Sequence, residues 1–192
     1  MTRVVIAEDE AIIRLDLKET LQEEGYDVVG ETGRGDEAVE LVKSLTPDLA
    51  ILDIKMPGMD GLEAARAISA ERGAAVLILT AFSQRDLIEQ ARDAGALAYL
   101  VKPVQKYELI PAVEVALGRF AEMKALAEEN SSLTEQLATR KLVDRAKGIL
   151  IDRHGLSEGD GFRFIQKTAM DTRRGLGEVA QSVIDGELAP SA

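Results

Sequence analysis

The 192-residue chain contains no cysteine, which excludes a disulfide framework and any thiolate metal site and suits a reducing compartment. It has no apolar run near the ~20 residues of a membrane span, so no membrane partner is expected. Internal repeats and low-complexity tracts are missing as well. Met1-Thr2-Arg3 leads straight into a strand-like segment with no sign of a secretory leader, so a cytoplasmic location is expected. Excess positive charge is absent too: the net charge of −11 argues against general affinity for nucleic acid.

That average hides an asymmetry. Residues 1–120 hold 13 Lys/Arg and 22 Asp/Glu, a balance of −9, whereas residues 140–174 hold 9 Lys/Arg and 5 Asp/Glu, a balance of +4. An acidic front joined to a locally basic segment suggests two jobs.

The first ~120 residues alternate between a strand period and a helix period. Short apolar runs at 4–7, 26–29, 49–52, 75–79 and 98–101 are separated by helical patterns at 12–21, 36–45, 61–69 and 84–94. Such alternation predicts a doubly wound α/β domain: five parallel strands with right-handed crossovers. The runs at 49–52 and 75–79 are apolar throughout, so helices should cover both of their faces. On such sheets ligands bind at the carboxyl ends of strands, where strand order reverses.

The chemistry-bearing residues sit at those ends. Glu8 and Asp9 follow the first run, Asp53 the third, Thr80 the fourth and Lys102 the fifth. Three carboxylates at one edge suit Mg²⁺, which takes hard oxygen ligands. A carboxylate such as Asp53 can attack a phosphoryl group, with Lys102 and the Thr80 hydroxyl neutralising and donating to its oxygens. A phosphoryl group on Asp53 would draw Thr80 inward and open space for Tyr99 on the next strand, turning a local charge change into a surface change. Taken singly, the acids could cap the next helix, Thr80 could simply end a strand and Lys102 could be a surface lysine. Whether Lys102-Pro103 is cis stays open at this point.

From Tyr107 a helical pattern runs to about His154. Leu126, Asn130, Leu133 and Leu137 recur within it at spacings of four, three and four, a short coiled-coil seam with a polar residue at one core position. The alternative is a stripe packed against this chain's own α/β domain or tail. Ser157 with Asp160 reads as a helix start, Phe162, Ile165, Ala169 and Met170 as one apolar helix face, and Leu176, Val179, Ala180, Val183 and Ile184 as another. The expected architecture is therefore the α/β domain, then a long helix with coiled coil, then a small three-helix all-α domain.

Segment 3–118, about three-fifths of the chain, resembles the flavodoxin-like receiver domain of two-component response regulators. The resemblance rests on Glu8-Asp9, Asp53 with Met56-Pro57-Gly58-Met59-Asp60-Gly61, Thr80-Ala81 and Lys102-Pro103. It implies that Glu8, Asp9 and Asp53 hold Mg²⁺, that Asp53 accepts phosphate from a sensor histidine kinase, and that Thr80 and Lys102 contact the phosphoryl group. Residues 142–150 (LVDRAKGIL), Gly155-Leu156-Ser157, Phe162, Ala169-Met170 and Leu176-x-x-Val179-Ala180 resemble the ANTAR module of RNA-binding transcription antiterminators. The stretches 81–87 (AFSQRDL) and 169–171 (AMD) are similar to actinobacterial regulators of this architecture. One departure is Gly161, where that family usually has Ala.

The two resemblances imply a receiver at 1–118, a coiled-coil linker at 119–139 and an ANTAR domain at 140–192. They imply a non-enzymatic regulator that becomes a homodimer on phosphorylation and binds an RNA hairpin. Arg145, Ala146, Lys147 and Arg173 are the RNA-binding candidates, Ala146 and Gly148 being small enough for close helix approach. Phe162 is expected in the core, while Phe164 could stack on a base or equally pack in the core or an interface. A DNA-binding regulator and a protein-binding phosphorelay component are the alternatives.

Overall fold

A computed structural model describes residues 1–71 and 73–190. The chain divides into two compact units, Met1–Ala125 and the residues from Leu126 onward. The first holds five parallel strands, β1 (Arg3–Ala7), β2 (Asp27–Thr32), β3 (Leu49–Leu52), β4 (Ala75–Thr80) and β5 (Ala98–Val101), in the order β2-β1-β3-β4-β5. Helices α1 (Ala11–Glu23), α2 (Gly35–Leu45), α3 (Gly61–Ala70) and α4 (Arg85–Asp93) connect them. The long helix α5 (Lys106–His154) follows β5.

The continuous apolar runs are explained by two cores, one on each face of the sheet. Val4, Ile6, Leu49, Ile51, Leu77 and Leu79 pack with Leu17 and Leu21 of α1 and Leu109 and Val113 of α5. Their neighbours in sequence, Val5, Ala7, Ala50, Leu52, Val76 and Ile78, pack with α2, α3 and α4. Side chains alternate across a strand, so a strand covered on both sides needs apolar residues at every position. Each fully buried Leu or Ile contributes about 1.5–3 kcal/mol. β5 is the edge strand, and Val101 is 40% exposed. β2 runs three residues further than the sequence pattern marks, because the ladder with β1 continues past Gly30 to pair Ile6 with Glu31 and Ala7 with Thr32. The Lys102-Pro103 peptide is cis.

The second unit packs the end of α5 against α6 (Glu158–Thr172) and α7 (Leu176–Ile184). Its core is Val143, Ala146, Leu150, Ile165, Ala169, Val179, Ala180 and Val183. Ser157 caps α6 by accepting from the Asp160 N–H at 3.2 Å. The Asp160 carboxylate accepts from the Ser157 hydroxyl at 2.6 Å, so it does not close a reciprocal box.

Three sequence expectations need correction here. Phe162 and Met170 do not face the core: they are 41% and 70% exposed, and Phe164 is the phenylalanine packed against it. The buried stripe of α6 is Gly161, Ile165 and Ala169, offset from the one that the large apolar residues suggest. Gly148 does not serve close helix approach, since a Cβ there would meet open space. That part falls to Ala146, which is fully buried, and to Gly161.

A Cβ on Gly161 would lie 3.7 Å from Leu150 Cβ and 3.9 Å from Lys147 Cα, ordinary contact distances. Gly161→Ala should therefore raise stability by about 0.5–1 kcal/mol through lost unfolded-state freedom. Urea unfolding of the full chain checks this, and a loss of stability would mean that the packing at α6 is tighter than described.

Candidate functional site

The strand order reverses at β1, which has β2 on one side and β3 on the other. The loops after β1 and β3 therefore open at a switch point, and they carry Glu8, Asp9 and Asp53. One carboxylate oxygen from each lies within 4.8 Å of the others. Glu8 and Asp53 are buried, and Asp9 is exposed.

Lys102 reaches this cluster from the end of β5. Its Nζ donates to Asp53 Oδ2 at 2.9 Å. It also lies 2.6 Å from Glu8 Oε2, as an ion pair not aligned as a hydrogen bond. Burial pushes the Glu8 carboxyl above its usual range, against the opposing pull of Lys102. Burial acts to lower the Lys102 ammonium, but the close carboxylates of Glu8 and Asp53 together hold it above its usual value. The Lys102 N–H donates to the Thr80 carbonyl at 2.8 Å, so the lysine is anchored on the strand that ends in Thr80.

Thr80 is fully buried, and its hydroxyl has no hydrogen-bond partner among the described residues. A buried unpaired hydroxyl costs about 1–3 kcal/mol. An incoming group with acceptor oxygens would relieve that cost. The donor set is all oxygen, with three carboxylates, and this fits a magnesium ion.

Local backbone fixes the phosphoacceptor candidate. Asp53 N–H donates to the Ala7 carbonyl at 2.9 Å, and Asp53 Oδ1 accepts from the Ile54 N–H at 2.6 Å. Gly61 opens α3 directly against this loop. A Cβ there would lie 1.8 Å from the Asp53 carbonyl oxygen, so only glycine permits this approach.

Tyr99 is half-buried, and its hydroxyl donates to the Phe82 carbonyl at 2.7 Å. Burial, and then the nearby Asp53 charge, push its phenol upward. Lys55 Nζ stands 4.4 Å from the centre of the Phe82 ring. Sequence reasoning missed this Lys55–Phe82 pair. Its signal was positional, each residue lying two places beyond Asp53 or Thr80.

The sequence candidates in the second unit do not form one patch. Ala146 is fully buried in the core and offers no surface to RNA, a correction to its place among the contacts. Lys147 is bound to Asp144 at 2.9 Å and Glu158 at 3.0 Å. Arg145 and Arg173 are exposed. The seam residues are exposed as well: Leu126 at 59%, Leu133 at 51% and Leu137 at 59%, with Asn130 between them. Within the second unit, no side chain of this stripe is buried among the described residues.

Replacing the unpaired hydroxyl by a methyl removes a buried polar group at nearly constant volume. Thr80→Val is expected to leave stability unchanged or raise it by about 1 kcal/mol in urea unfolding. A loss of similar size would show that the hydroxyl has a partner in the resting protein.

The response regulator receiver domain family matches residues 4–114, and the ANTAR domain family matches residues 131–184. The transcriptional regulatory protein PdtaR of Mycobacterium tuberculosis is 57% identical over 183 residues, spanning 95% of this chain and 89% of that protein. The receiver domain of the putative response regulator NarL from the same organism has 34% identity and a TM-score of 0.59, covering 61% of this chain and 96% of that one. The CheX–CheY–BeF3–Mg²⁺ complex of Borrelia burgdorferi contains a chain with 26% identity and a TM-score of 0.56, covering 58% of this chain and 86% of that one. No described helix is long and apolar enough to cross a membrane. With both domains matched in order and the acids gathered at the sheet edge, this chain belongs to the response regulators that join a receiver domain to an ANTAR domain.

Proposed function

We propose that the chain is a phosphorylation-controlled antiterminator, activated by a sensor histidine kinase and acting on RNA hairpins as a homodimer. The observation that carries this reading is the buried site itself: three carboxylates, one lysine and an unpaired threonine hydroxyl at one sheet edge. An oxygen of Asp53 attacks the phosphorus of a phosphorylated donor, the bond to the leaving group breaks, and the leaving group departs with its electron pair. Glu8, Asp9 and Asp53 would hold magnesium, which would supply the charge cancellation that lets two anions meet. Lys102 neutralises a phosphoryl oxygen, and the Thr80 hydroxyl donates to another. The similar chain of known structure, from the CheX–CheY complex with BeF3 and Mg²⁺, supports this assignment.

Thr80 moving toward the phosphoryl group pulls on the loop that carries Phe82, to which Tyr99 is bonded. The change is read out as pairing of two copies through Leu126, Asn130, Leu133 and Leu137. Their exposure supports this role. The domain limits at 1–118, 119–139 and 140–192 remain part of the proposal. The ANTAR family match supports RNA as the target of the last of these, with Arg145, Lys147 and Arg173 among its cations. Binding prevents a terminator from forming. Paired modules on paired hairpins gain from effective concentration.

Acetyl phosphate with magnesium should shift the wild-type chain to a dimer in sedimentation analysis, and Asp53→Ala should stay unshifted. A dimerising Asp53→Ala would place the control elsewhere. Leu133→Lys with Leu137→Lys should remain phosphorylatable, yet lose on the order of 100-fold or more in affinity for RNA carrying two hairpins and little for one. Crosslinking and sequencing of bound RNA, with matched duplex DNA as competitor, separates this reading from a DNA-binding regulator.

A further inference from the structure

Helix α6 has a face that the core of its domain leaves free. Gly161, Ile165 and Ala169 are buried, with Phe164 half-buried beside them. The opposite sector holds Phe162, Gln166, Met170 and Arg173 at spacings of four, four and three, with Arg163 and Lys167 in the adjoining row. All six are exposed. The row of Phe162, Gln166, Met170 and Arg173 itself contains no acid. Asp160 and Asp171 border the row of Arg163 and Lys167, one pairing with Arg163 and the other one turn beyond Lys167, and Glu158 pairs with Lys147 at the start of the helix.

The cations in the sector are weakly engaged. Arg163 lies 3.4 Å from Asp160, a solvent-exposed pair worth little. Lys167 and Arg173 have no ion-pair partner among the described residues. Arg173 holds the left-handed backbone at the end of α6, with φ of 55°, where glycine or asparagine fits more easily. An arginine kept there at a cost in backbone strain points to a use for its side chain. Phe162 also walls a groove of about 540 Å³ with Leu176 and Arg140, where Glu135 and the Asp144–Lys147 pair complete the charged lining.

Two exposed apolar side chains among three cations are too few to insert into a bilayer. An isologous contact with a second copy would bring the same cations together. Unpaired RNA supplies both things the face lacks, phosphates for the cations and base faces for the ring.

We infer that this face of α6 is the surface that reads RNA: Phe162 stacks an unpaired loop base at the groove, and Arg163, Lys167 and Arg173 hold the flanking phosphates. The inference rests on the RNA-hairpin function proposed above. It moves the principal contacts from Lys147, which two carboxylates hold, to the exposed side of α6.

The test uses the full chain, phosphorylated with acetyl phosphate, and a pool of RNA stem-loops with randomised loops. The hairpin that wild type enriches is then titrated with variants. Phe162→Leu should bind about 10- to 100-fold more weakly with an unchanged melting temperature and dimer, and Phe162→Tyr should restore binding. Arg163→Gln and Lys167→Gln should each lower the salt slope of binding by about one. Variants that bind the enriched hairpin as wild type does would overturn the surface and leave the RNA function standing. Enrichment of no hairpin by wild type would overturn both. Loss of dimer in Phe162→Leu, with affinity falling only in proportion, would make the face a contact between copies and overturn the inference.

Discussion

Buried like charges need a counter-charge, and that requirement organises the acidic site. Glu8 and Asp53 are withdrawn from water at one edge of the sheet, beside the more exposed Asp9. Lys102 is the cation that bridges the two buried acids. Removing one partner of such a buried cluster costs about 3–5 kcal/mol, because it strands a charge. At full formal charge three carboxylates and one ammonium sum to −2, which a divalent ion would cancel. The site is therefore charged enough to favour magnesium.

The rest of the receiver serves that edge. Strand order reverses at β1, so the loops after β1 and β3 open toward one place although 45 residues separate Glu8 from Asp53. Two apolar cores clamp the strands and leave little freedom to the residues at their ends. Gly61 lets α3 begin against the Asp53 carbonyl, which fixes the loop from the other side. The buried Thr80 hydroxyl has no hydrogen-bond partner among the described residues, which makes it a natural place for a new group to act. Its movement would be felt at Phe82, which is joined to Tyr99 by a hydrogen bond and to Lys55 through its ring.

Much of this was legible in the sequence, because strands covered on both faces announce themselves as unbroken apolar runs. Val4 to Ala7, Leu49 to Leu52 and Ala75 to Leu79 gave the sheet, and polar residues immediately after them gave the site. The cis Lys102-Pro103 peptide was left open, since neither isomer leaves a mark in composition. The small helical domain was harder to read. There the pattern of large apolar residues pointed to Phe162 and Met170, while the core runs through Gly161, Ile165 and Ala169. Small residues carry little hydropathy, yet they decide which side of a helix comes close to its neighbour. Ala146 shows the same effect: its place in a motif suggested contact with a ligand, and its burial makes it a packing residue. Lys147 looked like a free cation, because ion pairing with Glu158 across a helix junction is not visible along the chain.

The account stands or falls on whether the gathered acids make one aspartate reactive. The most direct measurement treats the full chain with acetyl phosphate and magnesium, reduces the product with borohydride and locates the modified residue by mass spectrometry. Modification confined to Asp53, and lost when magnesium is chelated, is the result the account predicts. Modification spread over Asp9 and Asp60, or unaffected by removal of the metal, would contradict it.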